Sequence, residues 1–461
     1  MYRSRRVQRV KSRSLKKTPD RLMPVARIES LDHEGRGVTH ADGKVIFVDG
    51  ALPGEIVDFS PYRRKSSYEL AQISRIVRAS PQRVTPGCAY FGYCGGCSMQ
   101  HLDVTAQASV KQRVLEDALW HVGRVRPETV FAPLVGPGWG YRYRARLSVR
   151  HVPRKGGVLV GFRERKSAYV ADMSSCAVLP PHVSALLLPL RALIDGLSVH
   201  AHLPQIEVAV GGEREEQMTA LVFRILQPLT AHDEQAVRDF ADEHRVLIYL
   251  QPGGPDTLTP FWPLPMPELV YSLPDFGVRL AFAPSEFTQV NHGINRSLLR
   301  RSMSMLAPVA GERIADMFCG LGNFSLPIAA LGAEVVGIEG SDALVARAAR
   351  NAEANGLQSR ASFRVSNLFK ATAESIAALG RFDKMLIDPP REGAFDLVKA
   401  LPGATDERAL KAIVYVSCNP ATLARDLAVL VTEKGYRLRG AGIANMFPQT
   451  SHVESIAFLE R

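Results

Sequence analysis

Apolar and polar positions along this chain alternate with two different periods, and the change from one to the other divides it. Between Leu22 and about Arg78, short apolar runs at Pro24–Ile28, Gly43–Val48, Gly54–Phe59 and Tyr68–Val77 are separated by Gly35, Gly37, Asp42, Asp49 and Pro53. Strands broken by turn residues at this spacing predict a small five-stranded β-barrel. From Asp103 to about Val122 the period becomes helical, with Val110, Val114, Leu115, Ala118 and Leu119 on one face. Tyr141 to Arg150 then alternates strictly: Tyr141, Tyr143, Ala145, Leu147 and Val149 share one face of a strand, and Arg142, Arg144, Arg146 and Arg150 the other. That basic face suits a nucleic-acid backbone or, equally, a solvated antiparallel edge. Pro and Gly crowd the stretch from Gln251 to Pro267 and predict a long loop before a domain transition.

From about Phe287 strands and helices alternate. Strands are expected at Glu312–Met317, Glu334–Ile338, Ser362–Val365, Lys384–Ile387 and Ala412–Val416, with helices at Asn323–Leu331, Asp342–Asn355 and Thr422–Val431. Such alternation predicts an α/β, Rossmann-like, doubly wound parallel sheet that binds ligands at the carboxyl ends of its strands. The predicted organisation is a basic tail over 1–21, a β-barrel over 22–80, an α+β central domain over 81–286 and the α/β domain over 287–461.

Composition narrows the class. The chain has 461 residues, 46% hydrophobic and 22% charged, which is globular. No window holds the roughly 20 apolar residues of a spanning helix, and no apolar segment follows the basic amino terminus. A soluble, cytoplasmic protein with no membrane association and no obligate protein partner is expected. Of the net charge of +11, +8 falls within residues 1–21, a density that would lie well along phosphates or simply keep the chain soluble. Three of the six cysteines cluster at Cys88, Cys94 and Cys97. In a cytoplasmic chain this cluster, with the distant Cys176, suggests four thiolates around zinc or an iron–sulfur cluster, which spacing alone does not separate.

The α/β region carries the candidate chemistry. Asp316-Met317-Phe318-Cys319-Gly320-Leu321-Gly322-Asn323-Phe324 follows the first strand and opens a helix, where glycines let a ligand approach the backbone. Ser325 stands where a dinucleotide fingerprint wants Gly or Ala, which weakens a nicotinamide reading. Glu339 ends the second strand, where a carboxylate can accept both hydroxyls of a ribose; its bland reading is a solvated strand end. Asp388-Pro389-Pro390 is followed by Arg391 rather than by a base-stacking aromatic, which points away from an exocyclic amine as target. Cys418, in Ser417-Cys418-Asn419-Pro420, is expected at a strand's lip beside a helix amino terminus, a setting that lowers a thiol pKa and makes a nucleophile. Cys319 is expected to pack. A thiolate added to C6 of a pyrimidine activates C5 towards a sulfonium methyl, and a base must then remove the C5 proton. Glu454, in Ser451-His452-Val453-Glu454, is the candidate base and His452 a lesser one. Taken alone, Glu454 reads as surface charge.

Together these motifs resemble the RNA uracil-5 methyltransferases, and the resemblance spans roughly residues 20–461. The amino-terminal segment resembles a TRAM domain, an OB-like RNA-binding barrel. The resemblance implies an S-adenosylmethionine-dependent methyltransferase domain with the methyl donor held by Gln289, Phe318, Asn323, Glu339, Asn367 and Asp388. It implies Cys418 as nucleophile, Glu454 as base, and a [4Fe–4S] cluster on Cys88, Cys94, Cys97 and Cys176. It also implies that the helix after the cysteines packs on the catalytic domain. Barrel and cluster together point to the branch acting on 23S ribosomal RNA, because the transfer-RNA enzymes are expected to lack both. The alternatives are transfer-RNA methylation and an inactive RNA-binding ribosome assembly factor.

Overall fold

The computed structural model describes residues 25–41, 43–212 and 217–461. The basic tail over 1–21 and the turn residue Asp42 lie outside the described residues. The chain forms two compact units: one reaches to Asp32 and runs from Arg36 to Pro81, and the other comprises His33–Gly35 and Gln82–Arg461.

The first unit is a six-stranded sheet in the order Val25–Arg27, Ile56–Arg64, Tyr68–Arg78, Lys44–Asp49, Gly37–Ala41, Ser30–Leu31. The count exceeds the expected five because the short strand Ser30–Leu31 follows the first apolar run. Val25–Arg27 pairs with Ile56–Arg64 and Ser30–Leu31 with Gly37–Ala41, at opposite ends of the sheet. Ile28, between the two, is buried with Val48, Val57, Phe59 and Ala71.

In the second unit the strand Arg144–Val152 lies inside a six-stranded sheet, next to its edge strand, pairing with both Gln205–Gly211 and Gly157–Gly161. Ala145, Leu147 and Val149 are buried as the alternation requires. The strand is no edge, which corrects the expectation of a solvated antiparallel edge; Arg146 and Arg150 are exposed, whereas Arg142 and Arg144 are partly buried and bonded within the protein. Arg144 donates to the Pro284 carbonyl at 2.7 Å, Arg142 donates to the Arg144 carbonyl at 3.0 Å, and Arg146 pairs with Glu207 at 2.8 Å. The expected loop from Gln251 to Pro267 contains the strand Thr259–Trp262, which pairs with Val246–Gln251. It lies at the sheet's edge, where a strand tolerates Pro260.

The α/β sheet has eight strands in the order Ala361–Val365, Glu334–Glu339, Arg313–Met317, Lys384–Ile387, Ala412–Ser417, Glu454–Glu460, Arg437–Ala444, Thr129–Val130. The first five are mutually parallel. Glu454–Glu460 is antiparallel to both neighbours, so the sheet is mixed rather than purely parallel. Strand order reverses at Arg313–Met317, the switch point where open α/β sheets form a ligand crevice.

Segments well before residue 287 pack on this sheet. Thr129–Val130 pairs with Arg437–Ala444, where a Cβ on Gly440 or Gly442 would collide with Phe131. The helix Val104–Ala118 is capped by Asp103, which accepts from the Thr105 N–H at 2.9 Å. Its apolar face sends Ala108 and Leu115 into one core with Leu423, Leu427 and Ala441. The hairpin Leu269–Leu273/Val278–Phe282 is held to the helix Asp342–Ala354 by Asn351, which accepts from the Ala281 N–H at 3.0 Å. No helix among the described residues is long and apolar enough to cross a membrane.

Candidate active site

The loops at the carboxyl ends of the parallel strands enclose a cleft of about 530 Å³. Gln289, Phe318, Asn323, Glu339, Asn367, Asp388, Cys418 and Glu454 all line it. Seven of these sit where local sequence puts them: Gln289 lies just before the helix His292–Leu306, and the other six in the turns or last residues of parallel strands. Glu454 arrives differently. It is the first residue of the antiparallel strand, and Ser455 pairs with Ser417, so the start of one strand lies beside the end of its neighbour.

The first loop is shaped for close approach. Phe318 has φ +65°, a left-handed conformation that a non-glycine residue adopts only when its surroundings enforce it. Its ring lies 5.5 Å from that of Phe369. Ser325 donates its hydroxyl to the Asp316 carboxylate, which explains a serine at the position where a dinucleotide fingerprint wants none. Cys319 is buried against Gly337, as expected for a packing thiol. Glu339 is no idle strand end: its carboxylate accepts from the Gly320 N–H at 3.1 Å and the Gly340 N–H at 2.8 Å, tying the first two loops together. Asn323 and Asn295 exchange amide hydrogen bonds at 2.9 and 3.1 Å, and Tyr271 donates to Asn323 at 2.9 Å. This support from Tyr271 and Asn295 has no local sequence signal, because both lie far from the glycine loop in the chain.

Electrostatics corrects two sequence expectations. The Cys418 thiol is pushed up to about 11 rather than down, because it is enclosed and faces the Glu454 and Asp388 carboxylates; Arg391 offsets this only in part. Glu454 is 4% exposed, not surface charge. Burial, and then Asp388, raise its pKa well above the usual carboxylate range. Burial likewise raises Asp388 to about 7. His452 also lines the cleft, but burial and then Arg391 hold it down at about 4, so its ring is neutral at pH 7. Phe287, Arg391 and Phe447 complete the wall; of these only Arg391 stood out in the sequence.

A family model described as tRNA (Uracil-5-)-methyltransferase matches residues 273–461. The 23S rRNA (uracil(1939)-C(5))-methyltransferase RlmD of Aromatoleum aromaticum is 63% identical over 439 residues, covering 95% of this chain and 100% of the relative. The enzyme of the same name from Burkholderia ambifaria is 60% identical, covering 95% of each chain. The chain belongs to the RNA uracil-5 methyltransferase family. Among solved structures, the Pyrococcus abyssi tRNA (uracil-54, C5)-methyltransferase in complex with S-adenosyl-L-homocysteine superposes with TM-score 0.71 at 26% identity, covering 95% of this chain and 100% of that one. Its α/β sheet is the S-adenosylmethionine-dependent methyltransferase fold of this family. The same match corrects one expectation. A transfer-RNA enzyme aligns along 95% of this chain, so the extent of the fold does not separate the two substrate branches.

The four cysteines singled out in the sequence lie elsewhere in the same unit. Cys88, Cys94, Cys97 and Cys176 line a single small cavity with Tyr90, Phe91 and Phe162. The four are brought together because Gly95 donates its N–H to the Arg163 carbonyl at 2.8 Å and the Cys176 N–H is held by Ser184 at 2.8 Å. Burial raises the thiols of Cys94, Cys176 and Cys97, the last to about 12. Among the described residues no group of three or more His, Cys, Asp or Glu side chains is placed to hold a single metal ion.

Proposed function

We propose that this chain transfers the methyl group of S-adenosylmethionine to C5 of a uridine in 23S ribosomal RNA. The observation that carries the reading is the meeting of Cys418, Glu454 and the switch-point loops in one cleft. Identity of 63% to an enzyme named for 23S rRNA, against 26% to one named for tRNA, favours the ribosomal substrate. Intact Cys418 and Glu454 argue against an inactive assembly factor.

The chemistry follows from the side chains. The Cys418 thiolate adds to uracil C6, and the C5=C6 electron pair becomes an enolate nucleophilic at C5. S-adenosylmethionine, bound along Gln289, Phe318, Asn323, Glu339, Asn367 and Asp388, supplies the methyl group and a sulfonium charge that offsets the buried carboxylates. Glu454 then takes the C5 proton, the C5=C6 bond re-forms and Cys418 leaves as thiolate. The target base must leave its stack to reach this depth. The exposed Arg63, Arg64 and Lys65 of the first unit support reading its sheet as a TRAM-like, OB-type RNA-binding barrel over 22–80. In this reading 81–286 is the central domain and 287–461 the methyltransferase domain.

Transfer of labelled methyl to unmodified 23S RNA and to unmodified transfer RNA, followed by nucleoside analysis, tests the substrate. 5-Methyluridine in the 23S RNA alone is expected; label in transfer RNA would overturn the ribosomal assignment.

For the cysteine site we infer a [4Fe–4S] cluster on Cys88, Cys94, Cys97 and Cys176. Four thiols lining one small cavity match the need of a cubane that takes one thiolate per iron. Protein purified anaerobically is expected to contain about four iron and four sulfide per chain. One zinc per chain and no iron would sink the assignment.

A further inference from the structure

Nine residues, 445–453, connect the strand Arg437–Ala444 to Glu454. They carry Phe447 and His452 into the cleft as well. At their centre Gln449 has φ +69° and is 3% exposed. A left-handed conformation is unfavourable for such a residue and persists only when the surroundings over-determine it.

Tyr141 donates to the Pro448 carbonyl at 2.7 Å and Asn291 to the Met446 carbonyl at 3.3 Å, but the bonds to Gln449 itself come mainly from residues 98–107. The Gln107 side chain, fully buried on the helix Val104–Ala118, accepts from the Gln449 N–H at 2.8 Å and donates to the Gln449 side-chain oxygen at 3.0 Å. The same amide nitrogen donates to the Met99 and Leu102 carbonyls at 3.1 and 2.9 Å. The Gln449 carbonyl accepts from the Ser98 and Met99 N–H groups, each at 2.9 Å, and Ser98 Oγ accepts from the Ser451 N–H at 3.0 Å. One turn further along the helix, buried Lys111 donates to Asn445 Oδ1 at 2.7 Å and to the Phe447 carbonyl at 2.8 Å.

We propose that Gln107 is a positioning residue for Glu454: with Lys111 it clamps the 445–453 connection onto the Ser98–Met99 segment, and thereby fixes where the catalytic carboxylate enters the cleft. The inference rests on the reading of Glu454 as the base that removes the C5 proton. Among the residues assigned a chemical step, Glu454 alone is delivered by this connection, since Cys418 ends a different strand. Loosening the clamp therefore acts on the step that resolves the enzyme–RNA adduct rather than on the step that forms it. Ser98 directly follows Cys97, so the clamp also joins the cysteine site to the base.

Gln107→Met keeps the side chain's size and removes all its hydrogen bonds; Lys111→Met is the second variant, should the first not fold. With holoenzyme and 23S RNA, either is expected to slow turnover about 10- to 100-fold, the scale for a misplaced catalytic group. Affinity for S-adenosylmethionine should stay within about twofold of wild type, while a methylated protein–RNA adduct accumulates on denaturing gels. Unchanged turnover, or slower turnover without adduct, would overturn the clamp. Glu454→Gln, run alongside, separates the two readings: if it traps no adduct, the base assignment fails and the positioning role falls with it. If it traps adduct and the Gln107 variant does not, only the clamp fails.

Discussion

Cys418→Ala is expected to abolish methyl transfer, with a loss on the order of 10⁴-fold or more, because it removes the thiol that forms the bond to C6, and the cleft's other thiol, Cys319, is buried against Gly337. S-adenosylmethionine should still bind, since the switch-point loops are untouched, and no protein–RNA adduct should survive denaturation. Full methylation by this variant would remove the covalent mechanism. The thiol's environment adds a pH dependence whose sign is opposite to that of an activated cysteine. With its pKa pushed up to about 11 by enclosure and by Glu454 and Asp388, Cys418 is a thiolate in only about one molecule in 10⁴ at pH 7. In the free enzyme, alkylation of Cys418 by a neutral reagent such as iodoacetamide should therefore rise about tenfold per pH unit from 7 to 10. Alkylation already at its plateau by pH 8, followed by mass spectrometry of the Cys418 peptide, would contradict the enclosed thiol.

Glu454→Gln is the second large effect. The amide keeps the shape of the carboxylate but accepts no proton, so C5 should be methylated and the adduct left unresolved. Turnover is expected to fall about 10²- to 10⁴-fold, with methylated RNA retained on the protein. Loss of turnover with no retained RNA would show that Glu454 acts before methyl transfer, or only in folding. Here too the sign of the pH dependence follows from burial. Burial first, and then the Asp388 carboxylate, hold the Glu454 carboxyl protonated well above the ordinary carboxylate range. The base form therefore becomes more populated as pH rises, and resolution of the adduct should accelerate with pH until Glu454 is fully ionised. The Gln variant should lose that rising limb.

Much of this site is legible in the chain because its parts are local. A residue in the first turn after a parallel strand points into the crevice whatever the rest of the fold does, and Phe318, Asn323, Glu339, Asn367, Asp388 and Cys418 all occupy such turns or strand ends. The helix Val104–Ala118 was equally readable from its apolar spacing. The short strand Ser30–Leu31, the edge strand Thr259–Trp262 and the internal bonds of Arg142 and Arg144 were not. Each depends on which distant segment lies alongside, and alternation reports a strand's two faces without saying what covers them.

The sequence by itself therefore determined the alternation of the α/β domain, the loops that meet at its switch point, the four cysteines and the family. Only the tertiary structure decided that an antiparallel strand sets buried Glu454 beside Cys418, that the thiol's pKa rises instead of falling, and that Tyr271, Asn295 and Gln107 brace the cleft from far along the chain. The reason is physical: strand ends and turns are set by neighbouring residues, whereas burial and electrostatic fields sum over every segment that folding brings near.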